Sequence, residues 1–178
     1  MAEVQLVAVG EVDRDALDYL AATLPDEMDA TCSISRRVID PASAYHAPRR
    51  QYHSTHILAR LLETPAPAGA KLLGACDVDL FIPILTSVFG EAQLGNRAAL
   101  ISVYRLRQSF YGLPADERLF YERCEKEAVH ELGHAYGLVH CRAFECVMHF
   151  SNSIEQVDLK QSAFCRRCAG LVRGCGNE

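Results

Sequence analysis

His130-Glu131-Leu132-Gly133-His134-Ala135-Tyr136-Gly137-Leu138-Val139-His140 is the stretch on which the reading of this chain turns. His130 and His134 are four residues apart, so a helix puts both imidazoles on one face, where they can grip one ion. Glu131, beside the first of them, is placed to activate a water at that ion. His140 completes a three-nitrogen donor set on one condition. On a helix continued to residue 140 its ring would stand about 9 Å beyond His134 along the axis, out of reach of the same ion. Gly137 removes the difficulty, because glycine takes the left-handed conformation that ends helices and turns the chain back. The stretch therefore encodes a helix, a stop, a return and a third ligand: His130, His134 and His140 for a catalytic zinc, with Glu131 as the catalytic carboxylate. Chance occurrence of its fixed residues is on the order of one in ten million positions at ordinary residue usage, which weighs against a helix that merely carries surface histidines. On a helical projection Phe120, Cys124, Ala128, Leu132, Ala135 and Tyr136 form one apolar arc. His130 and His134 fall outside that arc, which sets them facing a cleft rather than the core.

The rest of the chain suits one domain of 178 residues with a core large enough to stand without disulfides. Its apolar fraction of 49% and charged fraction of 23% are those of a soluble globular protein. A net charge of −5 without a long basic block argues against nucleic acid as the main partner. The first residues lack a basic segment leading into an apolar core, and no apolar run reaches eighteen residues. The expectation is a cytoplasmic protein with no membrane span.

Upstream of the motif, strands and helices alternate. Val4–Val9 reads as a first strand, and Asp13–Leu24 as a helix with Asp13 as N-cap. Thr31–Ile39 reads as a second strand, residues 41–48 as a connection, and His53–Leu62 as a second helix. The Pro- and Gly-rich stretch 64–69 is a break. Lys71–Leu80 follows as a buried strand, then the apolar segments Ile82–Phe89 and Ala98–Leu106. Ala115–Tyr136 is the long helix that carries the motif. The pattern implies an α/β (α+β) fold, a mixed sheet with helices packed on it. His53 and His56 are read as solvated polar positions, with no third ligand nearby to make a metal site.

Eight cysteines in a reducing compartment call for another explanation than disulfides. Cys32, Cys76 and Cys124 are scattered singly and read as packed core thiols. Cys141-x4-Cys146 and Cys165-x2-Cys168 form a two-plus-two set with the spacing of a structural zinc, four thiolates closing a tetrahedron. Cys175 stands as an alternative member of that set. Because successive side chains of an extended segment point to opposite sides, His140 can face one metal while Cys141 faces the other.

The run from His130 to Cys168 resembles the archaemetzincins, a branch of the metzincin clan of zinc peptidases. The resemblance rests on the H-E-x-x-H-x-x-G-x-x-H signature, on Met148 shortly after Cys146, on the cysteines woven around both, and on the sixteen residues between Met148 and Cys165. Upstream, Phe89-Gly90-Glu91-Ala92, Gly95 and the strand from Ser102 to Arg105 are family-like, and the likeness spans roughly residues 81–168. It implies a metzincin-like zincin fold split by a cleft. Residues 1–137 would form an upper subdomain with a twisted, mostly parallel sheet, two long helices and an antiparallel edge strand around Gly90–Gly95. Residues 138–178 would form a small lower subdomain with the third ligand, a methionine-containing turn, the structural zinc and a C-terminal helix. Met148 would be the base of the metal pocket. One departure concerns Phe150, which stands where some metzincins carry a tyrosine that serves as ligand or oxyanion stabiliser.

The resemblance implies zinc-dependent hydrolysis of peptide bonds, aminopeptidase action included. The expected cofactors are two zinc ions per chain, one catalytic and one structural, and the expected partner is a peptide or protein substrate met by a monomer. Two other readings stay open: a peptidase-like module that binds peptides without cutting them, and a zinc ribbon in which Arg166, Arg167 and Arg173 touch nucleic acid.

Overall fold

Apolar runs without a polar alternate end up inside a sheet covered on both faces. The computed structural model describes residues 2–175, with side chains to residue 172. In chain order its elements are β1 (Ala2–Val9), α1 (Arg14–Met28), β2 (Ala30–Ile39), β3 (Tyr45–His46), β4 (Gln51–His53), α2 (Ser54–Leu62), β5 (Lys71–Cys76), β6 (Leu80–Phe81), β7 (Gly90–Ala92), β8 (Ala98–Ser102), α3 (Glu117–Ala135), α4 (Ile154–Leu159) and α5 (Arg166–Cys175). The main sheet has the order β2-β1-β5-β8-β7. All its pairings are parallel except the last, where β7 runs antiparallel to β8 at the edge.

Alternation along these strands sorts their side chains into two cores. Leu6, Leu73, Ala99 and Ile101 join α1 and α3 on one face of the sheet. Val7, Val9, Leu72 and Leu100 meet Ile57, Leu58 and Leu61 of α2 on the other. The result is a helix–sheet–helix sandwich in which α3 lies against the sheet next to β7. The caps hold as read for α1, where the Asp13 carboxylate accepts from Asp15 N at 3.0 Å. At α3 the Asp116 carboxylate accepts from Leu119 N at 2.9 Å, so the helix begins after Asp116 rather than at Ala115.

Several expected boundaries shift for identifiable reasons. β5 stops at Cys76 because the next residues must place two carboxylates: Asp77 pairs with Arg107 at 2.7 Å, and Asp79 takes both Arg105 nitrogens at 2.6 and 2.7 Å. Leu80 then belongs to a separate three-stranded sheet, β3-β4-β6, that alternation did not foretell. β8 ends at Ser102, whose hydroxyl donates to Val78 O at 2.6 Å, and the chain enters a 3-10 turn at Tyr104–Leu106, so no strand runs through Arg105. The edge strand covers Gly90–Ala92 only, and Gly95 sits in a turn at φ 68°. Residues 82–89 form a loop, bridged to Leu80 through Val88. Cys76 and Cys124 are core thiols, whereas Cys32 is half-buried. His53 is not a solvated position. It is half-buried, stacks on His56 at 4.3 Å, and keeps a buried Nδ1 without a hydrogen-bond partner among the described residues.

Candidate metal centres

α3 carries His130 and His134 one turn apart, and its end has the geometry Gly137 demands. Gly137 has φ 91°, its N–H donates to His134 O at 2.8 Å, and Leu138 N donates to Gly133 O at 2.9 Å. These two bonds make a Schellman cap, which satisfies the last carbonyls and turns the chain toward His140. Gly95 N also donates to His134 O at 2.9 Å, tying the end of the edge segment to the motif.

Two backbone carbonyls fix the tautomers. His130 Nδ1 lies 2.7 Å from Val147 O, and His134 Nδ1 lies 2.7 Å from Leu138 O. A carbonyl only accepts, so both rings carry their proton on Nδ1 and present a lone pair at Nε2. Those two Nε2 atoms face each other at 3.2 Å. Two lone pairs at that separation repel unless a cation lies between them. A tetrahedral zinc with Zn–N of about 2.0–2.1 Å would set its nitrogens about 3.4 Å apart, so the donors fit. His140 closes the group, with the donor atoms of all three rings within 4.8 Å of one another.

Met148 sits fully buried in a tight turn closed by His149 N donating to Cys146 O at 2.8 Å. Cys141 N donates to Met148 O at 2.9 Å, and Cys141 bridges His149 in register. This pins the segment after His140 to the turn. On the other side of that segment, Cys141, Cys146, Cys165 and Cys168 gather with their sulfurs within 4.8 Å. Cys141 Sγ and Cys165 Sγ are 3.9 Å apart, far from a disulfide and close to the roughly 3.8 Å between thiolates on one zinc at 2.3 Å. Backbone N–H groups of Ala143 and Cys165 donate to Cys141 Sγ (3.4 Å) and Cys146 Sγ (3.3 Å), as thiolates require. Cys168's backbone and neighbouring sulfurs bring Cys165 down to about 7. The Cys175 alternative falls outside the described side chains.

The comparisons with known proteins point one way. The model of peptidase family M54 matches residues 37–173. The archaemetzincin of Methanocaldococcus jannaschii is 42% identical over 168 residues, which cover 94% of this chain and 91% of that protein. The chain belongs to peptidase family M54. Two solved archaemetzincins share its fold. The Archaeoglobus fulgidus structure, complexed with malonate, has a TM-score of 0.82 and 38% identity, over 95% of this chain and 99% of that one. The Methanopyrus kandleri structure has a TM-score of 0.85 and 32% identity, over 99% and 96% respectively. The likeness thus reaches well upstream of residue 81, where the sequence carries no motif.

The archaemetzincin fold surrounds the histidines with a cleft of about 730 Å³. Its walls include the edge strand, Leu94, Val139 and Phe150, with Glu131, Glu127 and Lys160 further in. Against expectation, His130 is only 6% exposed, because the turn around Val147 covers the helix face that the apolar arc leaves free. Burial holds all three imidazoles below their usual range, His130 most strongly. Burial, and then the charge of Glu127, push the Glu131 carboxyl well above its own.

Two glycines shape the site. A Cβ at Gly90 would stand 2.6 Å from Glu131 Cγ and 2.7 Å from Leu100 O, so the edge strand passes directly over the carboxylate. A Cβ at Gly133 would stand 2.4 Å from Met148 Sδ. Gly133 escaped the sequence reading, although a glycine in mid-helix costs about 1 kcal/mol and was itself a signal. Lys160 and Glu127 escaped it too. Glu127 lies one turn before Glu131 on the same helix face, but nothing local marks Lys160.

Proposed function

We propose that this chain hydrolyses peptide bonds with a catalytic zinc held by His130, His134 and His140, with Glu131 as general base and acid. A second, structural zinc on Cys141, Cys146, Cys165 and Cys168 would hold the segment that carries His140. The family is one of zinc metallopeptidases. The observation that carries the assignment to these residues is the pair of Nε2 lone pairs facing each other at 3.2 Å beside a buried carboxylate.

Zinc bound at the histidines would supply a Lewis acid that polarises the scissile carbonyl and acidifies the attacking water. The chain's own residues do the rest. Glu131 takes the proton of the attacking water and returns it to the leaving amine. β7 leaves its outer edge toward the cleft, where an extended peptide can add as a further strand. Leu85, Leu94, Val139 and Phe150, all exposed in or at the cleft, would meet its apolar side chains. Gly133 and Met148 hold the floor beneath the histidines, and Gly137 turns the chain to the third.

In this reading residues 1–137 and 138–178 are the upper and lower parts of one domain, and a monomer suffices because every site residue comes from one chain. The free cysteines suit a reducing, cytoplasmic setting, and no helix among the described residues is long and apolar enough to cross a membrane. The test is mass-spectrometric mapping of cuts in a diverse peptide pool by zinc-loaded and chelator-stripped protein. Cuts present only with zinc support the peptidase, and their positions separate end-trimming from internal cleavage. A folded, loaded protein that leaves the pool intact would favour the peptide-binding module instead.

A further inference from the structure

One charged group at the cleft takes no part in the mechanism above. Lys160, just past α4, is 2% exposed, and its ammonium lies 3.0 Å from Glu127 Oε1. The contact is an ion pair off the hydrogen-bond direction, since neither Lys160 Nζ nor Glu127 Oε1 has a hydrogen-bond partner among the described residues. Burying an ammonium with its donors unspent is costly, and an ion pair repays that cost only when further hydrogen bonds complete it. Nor is the pair needed as a clamp between α3 and α4. Arg123 already holds Asp158 through two bonds of 2.7 Å, and Lys126 donates to Asp158 O at 3.1 Å.

The position of Lys160 says what it could meet. Lys160 lines the same cleft as His130, Glu131, His134 and His140. Along α3 the order from the metal ligands is His134, His130 and Glu131, then Glu127 with Lys160 one turn further back. Glu131 hands its proton to the leaving amine, so the leaving half of the substrate lies on the Glu131 side of the metal. Lys160 is therefore the cation on the leaving-group side.

We infer that Lys160 is a binding residue for a substrate carboxylate on the leaving-group side of the scissile bond. Glu127 holds the ammonium head in place, and an anionic group from the substrate takes the donors that the Glu127 contact leaves unspent. The carboxylate can come from an acidic side chain just after the scissile bond or from a free C-terminus close to it. This rests on the peptidase reading for its sense of direction, and binding tests it separately.

The experiment uses peptides that differ only as Glu against Gln after the cut, or as free against amidated C-terminus. Their cleavage is followed with zinc-loaded wild-type protein, and their binding by calorimetry to zinc-loaded Glu131→Gln protein. The expected result is a preference for the carboxylate form on the order of tenfold to a hundredfold, the range of one hydrogen bond to a charged group, expressed in KM and in affinity. The pair that shows it identifies the source, side chain or terminus. In Lys160→Met the ratio should fall toward one. The double variant Glu127→Gln/Lys160→Met, which leaves no unpaired buried charge, should give the same result if the single one folds poorly. Equal handling of both forms, a preference for a basic residue met by Glu127, or a carboxylate preference that survives in the Lys160 variants overturns the inference while leaving a peptidase in place. Carboxylate-dependent binding without any cleavage keeps Lys160 as a carboxylate-binding residue but sinks the peptidase reading, and with it the assignment to the leaving-group side.

Discussion

Gly133→Ala sets two known effects against each other. Alanine in the middle of a helix is favoured over glycine by about 0.8–1 kcal/mol. At this position, though, the new methyl would meet Met148 Sδ at 2.4 Å, Phe164 Cε1 at 3.1 Å and Met148 Cε at 3.2 Å. Met148 is fully buried, so its thioether can give way only by repacking the core around it. Overpacking a closed core of this kind costs about 1–3 kcal/mol, which matches or exceeds the helix gain, so the net loss is up to about 2 kcal/mol. For a domain of this size that corresponds to a fall in Tm of up to about 8 °C, read by calorimetry on zinc-loaded protein. In a Met148→Ala background the closest obstruction is gone, leaving Phe164 Cε1 to give by a few tenths of an ångström, and the same glycine change should raise Tm, a coupling of about 1–3 kcal/mol across the pair. A rise in Tm in the wild-type background would refute the claim that Gly133 is there to admit Met148 beneath the metal site.

Gly90→Ala would drive a methyl into Glu131 Cγ at 2.6 Å, with Leu100 O at 2.7 Å blocking the other way out. Because displacement of a reacting group by about 1 Å costs on the order of a hundredfold, kcat should fall by about that much while zinc content stays unchanged. A kcat within twofold of wild type would count against the edge strand as the roof of the carboxylate. Cys168→Ser should cut zinc from two per chain to one, as the two donor groups require, and lower Tm, with elemental analysis and calorimetry as readouts. Retention of both ions would remove Cys168 from the set. Acid should destabilise the metal-free protein. The folded pKa values of His130, His134 and His140 lie below the ordinary 6.5, so between 6.5 and the folded values the unfolded chain binds more protons, and stability falls as pH falls through that window. Denaturant midpoints that stay flat from pH 7 to about 5 would contradict this. Glu131 acts in the opposite sense: its raised pKa favours folding below the ordinary carboxylate range, and that benefit is lost as pH rises through the folded value.

What the sequence made legible was whatever depends on local spacing. His130, His134 and Gly137 define a helix and its end by intervals alone, and the Schellman cap follows from where the glycine stands. The two-plus-two cysteines likewise declare a tetrahedron, and the alternation of strands and helices before the motif declares a mixed sheet with helices packed on it, its mostly parallel order being implied only by the family resemblance. Contacts between distant segments were not legible. The burial of His130 comes from Val147, the ion pair of Glu127 from Lys160, and the end of β5 from arginines about thirty residues away. The short sheet β3-β4-β6 was missed because strands of two or three residues show no alternation to read. Gly133 falls between these cases, since its cost to the helix is visible in the sequence but its purpose, Met148, is not.

The central claim is that three histidines hold a zinc on which Glu131 acts. It is tested most directly by measuring zinc content and peptide turnover on the same preparations of wild-type and Glu131→Gln protein. The account predicts equal zinc in the two, and turnover in the wild type only. Undiminished turnover in the variant, or loss of zinc along with activity, would contradict the role given to Glu131.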